Sequence, residues 1–409
     1  MTFSPPTWTL YDRDYKTSCG TLSPLPGAFI WLKDNKDCGS GMLKIHSSDP
    51  LFSYVSTKAN AILRYIDFGY RGVNPSGFFV EDWQSVEADS AEGPGQIVTL
   101  SGRSRLAILE RAKVWDWQTP GDSDIRYFGV KDVVSGYGGA SVPKGLMLWW
   151  LLTEARDVTA NLAGQYINRY CFRWPPTYTP GTPPTPLGTI QVDWDFSATL
   201  DSLGNAWSDV DDMQFVTGST TLLQVFQQIA ALQYDVKVDF NPSTGFMIHV
   251  YDSRQGSDLS ATVILKRGDT TNKNLLESKL HSVSSGMGNA MLVKYSNPAD
   301  PYTQVNDSTS QTAYGRYEGY LECANASTEA TALNFGAAQL AQDKDPKDDN
   351  FILAYDGNGS KHVLTDYNAG DKISYNNGST IPWPSTGIQL TWPTDNDPYA
   401  QVLIESSAP

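Results

Sequence analysis

The sequence predicts a mainly β protein with α+β parts, and three observations support that class. Turn-forming and aromatic residues are abundant, with 34 Gly, 24 Pro, 12 Trp and 21 Tyr among 409 residues, which is typical of many short strands. Short apolar runs lie between clusters of Gly, Pro, Asn and Asp, as strands usually do. Helical periodicity is limited to a few stretches. Because the chain is too long for one ordinary core, we expect about two to four domains.

Residues 1–100 predict an N-terminal domain that resembles a small β-barrel or sandwich. Its strand candidates are Ala28 to Leu32, Ile62 to Ile66 and Gly77 to Trp83, which turn-forming clusters separate. Asp34 to Gly41 predicts a solvated loop, because its aspartates lack the spacing of a calcium-binding loop.

Residues 101–215 predict a helical and irregular lateral region that begins at a hinge. The apolar strand Ile97 to Leu100 is expected to break at Gly102. An amphipathic helix follows, because Leu106, Leu109 and Ala112 recur at helical spacing. Either of two serines can cap this helix, Ser101 or Ser104.

A second helix and a proline-rich stretch complete the lateral region. The helix runs from Leu146 toward Leu162. Residues 174–188 (WPPTYTPGTPPTPLG) contain six prolines, which favour an extended, polyproline-like backbone. We expect a surface loop or domain connection here, and a proline-rich ligand for a partner is the alternative.

Residues 216–300 predict a helix-hairpin α+β domain. Ser219 or Thr220 can cap a helix whose apolar stripe runs from Leu222 to Leu232. At Tyr234 the period changes from 3.6 to 2, and a strand with its return partner follows across the turn NPSTG. Helix and hairpin are expected to bury one face each.

Residues 301–409 predict a C-terminal helix plus a second β-barrel-like domain. Tyr314 to Leu321 is a strand candidate, and a helix runs from about Ser327 to Gln342. The acidic stretch Asp343 to Asp349 predicts a solvated loop that ends this helix before Pro346.

The charge pattern disfavours tight contact with nucleic acid or membrane. Thirty basic residues face 45 acidic ones, for a formal net charge of −15, and no basic cluster stands out. The acidity serves solubility, or it lets DNA pass without sticking. The longest apolar run, Gly145 to Leu152, is far shorter than the roughly 20 residues of a membrane span, and no secretory signal is visible.

The sequence lacks the motifs of known catalytic and metal sites. Its four histidines are dispersed, and its four cysteines form no CxxC pair, although a bridge between Cys19 and Cys38 stays open. There is no HExxH, GxSxG, GxxxxGK[ST] or strand-associated GxGxxG motif. We therefore predict a protein that is not an enzyme, with no catalytic, cofactor-binding or metal-binding residues.

Two other functions stay open. Acidic clusters such as Asp209 to Asp212 could supply the two carboxyl groups of a cell-wall glycan hydrolase, which lie about 5 to 9.5 Å apart in such enzymes. A host-glycan receptor-binding protein could use tryptophans as platforms for sugar rings, although most tryptophans are core or interface anchors. The candidates are Trp115, Trp117, Trp149, Trp150, Trp174, Trp194, Trp207, Trp383 and Trp392.

Four segments, in this order, resemble the tail-tip or baseplate hub proteins of long-tailed bacteriophages, a group related to the central hub of contractile-tail baseplates. They are the Ser-Gly-Arg segment within Gln96 to Trp117, the stretch NLLESKLHSVSSGMGNAMLVKYSN, Tyr314 to Leu321 (YGRYEGYL) with the helix after it, and Asp366 to Ile373 (DYNAGDKI). Tyr317 stands where the family pattern has a second arginine. The residues that carry the resemblance form a structural signature: Gly102, Arg103, Gly315, Arg316, Glu318, Gly370 and Asp371.

The resemblance implies two tail-tube-like β-barrel domains with lateral α/β elements, assembled as a homotrimer. Such a trimer is expected to adapt a six-fold tail tube to a three-fold tip, to anchor distal tail or fibre proteins and receptor-binding proteins, and to gate DNA passage without binding DNA tightly. It also implies a location in the virion after assembly in the cytoplasm of the host bacterium. The three signature glycines are expected to need close approach or backbone angles that a Cβ disfavours.

Overall fold

The computed structural model describes residues 5–33, 38–90, 93–115, 125–128, 142–157, 159–162, 165–168, 171–174, 189–208, 210–211, 213–231, 234–253, 255–267, 274–296, 301–324, 326, 328–357, 361–376, 380–392 and 399–407. Strands dominate these residues, and the predicted class, mainly β with α+β parts, is confirmed. The Pro-rich residues 175–188, the start of the Asp34 loop and Trp117 lie outside the described residues.

The described part of the first hundred residues forms eight strands, one short helix and one short 3-10 helix (Phe52–Tyr54). The helix, α1, covers Lys58–Ala61 and is capped by the Thr57 side chain, which accepts from the Asn60 amide. The strands are β1 (Thr7–Tyr11), β2 (Ser18–Leu22), β3 (Ala28–Lys33), β4 (Ser40–His46), β5 (Tyr65–Tyr70), β6 (Val73–Phe79), β7 (Asp82–Ser90) and β8 (Gly93–Arg103).

The next part of the chain is built from short elements. A 3-10 helix covers Arg105–Arg111, and α2 covers Lys144–Asp157. The strands are β9 (Ile125–Phe128), β10 (Val142–Pro143), β11 (Thr159–Leu162), β12 (Gln165–Asn168), β13 (Arg173–Trp174), β14 (Thr189–Ile190), β15 (Val192–Trp194), β16 (Val210–Asp211) and β17 (Met213–Val216).

The remaining chain carries three helices: α3 (Leu222–Ala231), α4 (Ser308–Tyr314) and α5 (Glu329–Asp343). Its strands are β18 (Asp235–Asn241), β19 (Gly245–Tyr251), β20 (Ile264–Lys266), β21 (Leu275–Val283), β22 (Ala290–Tyr295), β23 (Tyr302–Asn306), β24 (Glu318–Cys323), β25 (Lys347–Tyr355), β26 (Lys372–Asn376), β27 (Thr380–Trp392) and β28 (Gln401–Ser407).

The largest sheet joins the two ends of the chain. Its strand order is β21-β25-β28-β27-β3-β4-β8-β7, and β26 with β20 extends from β27. The antiparallel β27–β3 ladder, in which Ile388 faces Leu32, unites strands from the first and last predicted domains. No described sheet closes on itself, so the two barrels implied by the resemblance do not appear as closed barrels there. The four-part domain division stays a prediction.

Two large cores stabilise this architecture. One lies between the large sheet and the four-stranded sheet β2-β1-β5-β6, where Trp8, Phe68 and Trp392 contact one another. The other is formed by the lateral helices and the three-stranded sheet β15-β19-β18. Tyr65 belongs to this second core and touches Phe240 and Phe246 of the hairpin, which fixes the lateral part against the N-terminal strands.

The expected break at Gly102 is wrong. Strand β8 continues through Gly102, which pairs with Gly41, and ends at Arg103. The following helix is of the 3-10 type rather than α, and Ser104 occupies its N-cap position without making a side-chain cap bond. The partner strand β4 holds the backbone extended at a position where local sequence favours a turn.

The helix-hairpin unit matches its prediction closely. Helix α3 and strands β18 and β19 occur in the predicted order, and β18 pairs with β19 from Asp235–Tyr251 to Asn241–Gly245. The cap is Thr221 rather than Ser219 or Thr220. Its hydroxyl accepts from the backbone N–H of Gln224, and the side-chain Oε1 of Gln224 accepts from the backbone N–H of Thr221.

Several other boundaries differ from their predictions. Strand β5 begins at Tyr65 rather than Ile62, because Leu63 adopts a positive φ of 67°. The single strand predicted over Gly77 to Trp83 falls on the end of β6 and the start of β7. Helix α2 ends at Asp157 instead of reaching Leu162. Tyr314 ends helix α4, so the strand predicted from it begins only at Glu318.

Candidate functional site

A cleft of about 1090 Å³ opens between the four-stranded sheet and the lateral hairpin. Strand β18 and the start of β6 both face it, and each is an edge strand of its own sheet. Its lining is mixed in charge, with Lys33, Lys237 and Arg105 against four aspartates. Its main lining segments are 31–33, 73–76, 104–106, 235–241, 255–257, 364–366 and 368–371.

Gly370 and Asp371 shape one wall of the cleft. Gly370 turns the chain with a positive φ of 94°, which a glycine adopts easily. The Asp371 carboxylate then accepts from the Ser257 amide at 2.8 Å and from the Asn368 amide at 2.7 Å. In the segment DYNAGDKI this turn leads directly into β26.

A buried ion pair lies beneath the cleft. The Arg105 guanidinium donates to Asp67 Oδ1 at 2.7 Å and to the Tyr65 hydroxyl at 2.6 Å, and both ionic side chains are under 5% exposed. It also donates to the backbone carbonyls of Asn74 and Ser76. Burial raises the pKa of the Tyr65 hydroxyl well above its ordinary value. This network fastens the 3-10 helix to the N-terminal sheet.

A second buried pair links the N-terminal sheet to the C-terminal strands. Arg71 lies in the turn between β5 and β6, and its Nε donates to Asp356 Oδ2 at 2.5 Å. The Tyr70 hydroxyl donates to the same oxygen, and the Val363 amide donates to Oδ1. Both members of the ion pair are 1% exposed. No pattern in the sequence indicates either arginine pair.

Gly102 and Arg103 lie at the end of strand β8. A Cβ on Gly102 would come within 1.8 Å of the Phe79 carbonyl oxygen, so only glycine allows these two backbones to approach. Arg103 makes a forked contact with Glu81, at 2.8 and 2.7 Å, and also contacts Glu110. The close backbone approach expected for this glycine is therefore present. It occurs within strand β8, against the end of β6, and not at a hinge.

Gly315, Arg316 and Glu318 belong to a separate module that is inserted between β21 and β25. This inserted module, residues 284–346, contains the three-stranded sheet β23-β22-β24 with helices α4 and α5. Gly315 ends α4 with a positive φ of 84°, in open space. The Arg316 guanidinium contacts Glu318 at 3.1 Å. The three parts of the signature thus lie in three different regions, and the cleft includes only Gly370 and Asp371.

A fully buried Asn289 organises the junction between α4 and β24. Its carboxamide nitrogen donates to the Gly315 carbonyl at 2.7 Å and to the Ser310 hydroxyl, while its oxygen accepts from the Tyr317 amide at 2.8 Å. Both N–H donors of the carboxamide and one acceptor site of its oxygen are thus used, which fixes the segment that leads into β24. Asn289 directly precedes β22 in the sequence, but no sequence pattern indicates its hydrogen-bonding role.

One face of the three-stranded sheet packs on α5, and the opposite face is largely exposed, although Ala290 on it is buried. The packed face uses Met291, Val293 and Val305, and Gly336 of α5 approaches Val293 closely. Strand register places three rows on the opposite face. These rows, here called the tyrosine face, are Asn306-Ala290-Glu318, Gln304-Leu292-Tyr320 and Tyr302-Lys294-Glu322.

His249 lies between two carboxylates in the helix-hairpin unit. Its Nδ1 is 2.6 Å from Asp195 Oδ2, and its Nε2 is 3.3 Å from Asp239 Oδ2. The nearby Asp239 carboxylate and the hydrogen bond with Asp195 raise the pKa of His249, against the effect of its burial. Ser202 donates to Asp195 rather than to the imidazole, so the cluster is an ion pair and not a nucleophile with its base.

The described residues offer little for the alternative functions. They hold no group of three His, Cys, Asp or Glu side chains placed to bind a metal ion. None of the described helices is long and apolar enough to cross a membrane. Where their side chains are described, the candidate tryptophans are buried or half-buried, which does not favour sugar platforms. Cys19 is a free thiol that contacts Arg64, so it forms no bridge with Cys38.

The chain shares its fold with tail proteins, one of them from a prophage. The tail protein from Neisseria meningitidis MC58 superposes with a TM-score of 0.54 at 10% identity, over 99% of this chain and 97% of that one. The 43 kDa tail protein of prophage MuSo2 from Shewanella oneidensis superposes with a TM-score of 0.52 at 11% identity, over 98% of both chains. No family model and no curated protein matches the sequence. The resemblance inferred from the four segments is confirmed at the level of the fold.

Proposed function

We propose that the chain is a structural protein of a phage virion, the trimeric hub at the distal end of the tail. The observation that carries the proposal is the end-to-end match of its fold to two tail proteins of nearly the same length. In this role the chain adapts the six-fold tube to a three-fold tip, anchors distal tail or fibre proteins and gates DNA passage. It performs no catalysis.

The large sheet supports the proposed match between a three-fold hub and a six-fold tube. Its eight-strand path divides at the β27–β3 ladder into two antiparallel four-stranded halves, β21-β25-β28-β27 and β3-β4-β8-β7. Each half comes from one end of the chain. Three copies therefore present six comparable halves, which is the number that a six-fold tube requires.

The two outer edges of this path supply a means of closing the ring. Among the described strands, β21 and β7 have no partner on their outer sides. An unpaired edge is a template for another strand, and proteins normally protect it with charge, proline or a covering element. Here the edges carry exposed apolar side chains, Val86 at 54% and Leu276 at 40%, beside charged ones such as Glu87 and Lys279. Edge β7 of one copy joins edge β21 of the next, and a head-to-tail contact of this kind closes into a ring.

Sedimentation of the purified chain tests this arrangement. We expect a species of three copies of the 45.0 kDa chain. Val86→Lys, which places a charge on the β7 edge, should raise the dissociation constant at least about tenfold. Leu333→Lys is the control, since Leu333 is exposed on helix α5 away from both edges. A trimer that tolerates Val86→Lys would exclude the edge contact.

Labelling of assembled particles tests the location. Antibody against this chain, viewed by electron microscopy, should mark the distal end of the tail. Labelling along the tube, on the capsid or on peripheral fibres only would refute the hub.

The passage of DNA requires a lumen that does not grip phosphate. The formal charge of −15 and the lack of a basic cluster support this property, because each contact with Lys or Arg would slow ejection. We expect no measurable binding of the assembled ring to duplex DNA at about 0.15 M salt. Tight, salt-dependent binding would contradict a conduit.

A further inference from the structure

We propose that strand β18 binds an extended, basic segment of another tail protein, which enters the cleft described above and adds a strand to the sheet β15-β19-β18. The inference rests on the proposed function and deepens it, because it names how the hub anchors a distal tail or fibre protein. All the residues that line the cleft lie in the part of the chain that the structure describes.

The hydrogen bonds of β19 show which backbone groups of β18 point into the cleft. The carbonyls of Ile248 and Val250 accept from backbone amides on the side of β19 away from β18. In the register these two residues lie opposite Val238 and Val236. Where facing residues of an antiparallel ladder do not bond to each other, both direct their N–H and C=O groups outward. Val236 and Val238 therefore direct theirs to the free side of β18, where no described backbone group pairs with them.

The free edge of β18 matches an extended polypeptide. Outward N–H and C=O groups recur there at every second residue, and a partner strand presents its own groups at the same spacing. Val236 and Val238 are buried on one face of the sheet, whereas Lys237 is exposed on the other. Since facing residues share a face, the bound segment alternates apolar and polar side chains. Val73 and Leu203, which line the same cleft and are 42% and 61% exposed, offer it apolar contact.

The other edge strand of the cleft, β6, is closed by the chain itself. The Arg105 guanidinium donates to the backbone carbonyls of Asn74 and Ser76. Phe78, near the end of β6, forms a backbone bridge with Ser104. A charged side chain or a covering segment is how proteins protect a strand edge from pairing. The structure thus protects β6 and leaves β18 open, so β18 is the edge to which a strand can be added.

The charge of the cleft selects a basic segment. Each of the three cations of its lining already pairs with a carboxylate: Lys33 with Glu405, Arg105 with Asp67, and Lys237 with Asp239. The lining also includes Asp235, Asp366 and Asp371, and Lys361 lies 3.9 Å from Asp366. Carboxylates therefore outnumber cations in and around the lining, and the cleft attracts Lys and Arg.

The same charge argues against a second copy as the occupant. The chain carries a formal net charge of −15, and no basic cluster stands out in its sequence. Two copies that meet at a negative cleft repel each other. A segment that carries Lys or Arg beside alternating apolar residues therefore comes from a different protein of the tail.

Peptide binding to the full chain tests the contact. The labelled probe has the length of β18, seven residues, alternates valine with threonine, and carries lysine at both ends. We expect saturable binding by fluorescence anisotropy, and this binding should weaken as the salt concentration rises. A control peptide with glutamate in place of lysine should bind at least about tenfold more weakly. The absence of saturable binding by the lysine peptide, or equal binding of both peptides, would refute the inference.

N-methylation of the probe separates strand addition from other modes of binding. Methyl groups at alternate positions remove the N–H donors from one edge of an extended peptide, and the complementary set removes them from the other edge. One version should lose at least about tenfold in affinity, and the other should stay within about twofold of the parent peptide. Equal affinities of the two versions would show that the peptide does not pair with β18.

Two substitutions in the chain test the edge and the charge. Val238→Pro removes an N–H that points to the free edge and should weaken the lysine peptide at least about tenfold, with the melting temperature as the check on folding. Asp366→Asn should weaken it about threefold or more. Glu322→Gln is the control, because Glu322 is exposed outside the cleft, and should leave the affinity unchanged. Wild-type affinity in a folded Val238→Pro chain would exclude pairing at this edge.

Photocrosslinking in intact particles identifies the occupant. A benzoylphenylalanine is placed at Lys237, which lines the cleft, with Tyr54 as the control because it is exposed outside the cleft. Irradiation should join position 237, but not position 54, to a different tail protein, through a segment that alternates apolar and polar residues and carries Lys or Arg. A band of two joined copies, a crosslinked segment without this pattern, or no crosslink at position 237 would overturn the inference.

These outcomes are distinct from failure of the proposed function. A chain that antibody places at the tail tip, but whose position 237 crosslinks to no other tail protein, retains the hub role and loses this inference. A chain that binds such a segment through β18 but labels elsewhere in the particle retains the strand contact and loses the hub role.

Discussion

The body of the molecule and the inserted module use charge in opposite ways. In the body, the ion pairs Arg71–Asp356 and Arg105–Asp67 are under 5% exposed and join segments that are far apart in the chain. In the module, Lys294–Glu322 and Arg316–Glu318 are between 41% and 74% exposed; the first joins adjacent strands, and the second joins residues two positions apart in the chain. A buried pair cannot lose one member without leaving a charge in an apolar surrounding, whereas a surface pair can. These two pairs of the body therefore maintain the fold, whereas the two exposed pairs of the module stay in contact with solvent.

The largest effect should follow from breaking a buried pair in the body. Asp356→Ala leaves Arg71 charged and buried, and it also removes the acceptor of Tyr70 and of the Val363 amide. We expect a loss of about 3 to 5 kcal/mol in the free energy of unfolding, measured with urea. Glu322→Ala in the module is the control and should change it by less than about 1 kcal/mol. Equal effects from the two variants would erase the distinction between the regions.

Substitutions at two signature glycines, one in the body and one in the module, should also change the free energy of unfolding by different amounts, but the difference should be smaller. At Gly102 any Cβ meets the Phe79 carbonyl, which belongs to the rigid backbone, so Gly102→Val should cost about 3 kcal/mol or more. At Gly315 there is open space and only the positive φ opposes substitution, so Gly315→Ala should cost about 1 to 2 kcal/mol. Thermal unfolding of both variants gives the comparison. A Gly102→Val chain with wild-type stability would show that the strand crossing can relax.

The sequence predicted local features of the fold better than long-range ones, for physical reasons. The helix-hairpin unit was predicted well, because the change of period at Tyr234 and the turn after Phe240 are local signals. The strand end at Gly102 was not, because its extension depends on Gly41 of another strand. The β27–β3 ladder, which joins the two ends of the chain, leaves no local signal at all.

The candidate site was likewise predicted only in part. Gly315 and Gly370 were expected to need unusual backbone angles, and both have positive φ. The buried ion pair of Arg105 was not predicted, because a charged residue at the start of an apolar helix is normally expected to be exposed to solvent. The tyrosine face was missed because the sequence does not state which side of β22 is covered by α5. Whether the signature residues mark the hub family stays a prediction.

An intermediate case is His249, which is neither fully buried nor fully exposed. Its pKa is raised by Asp239 and Asp195, so the folded state holds the proton more tightly than the unfolded state does. The resulting stability is present in full below the ordinary pKa of histidine, about 6.5, and is lost as the pH rises through the raised value. His249→Gln should remove this part of the pH dependence of the melting temperature. A wild-type chain whose stability increases across that range would contradict the sign.

The smallest effect should be the coupling of the module's surface pair. Lys294 and Glu322 lie on adjacent strands at 2.7 Å, and water reaches both side chains, which are 41% and 55% exposed. Because solvent screens such a pair and both long side chains lose freedom when they meet, their net contribution to folding is small. In a double-mutant cycle with Lys294→Met and Glu322→Gln, we expect a coupling energy below about 0.5 kcal/mol. The same cycle on Arg71 and Asp356 should give several times more, since neither group can be solvated there.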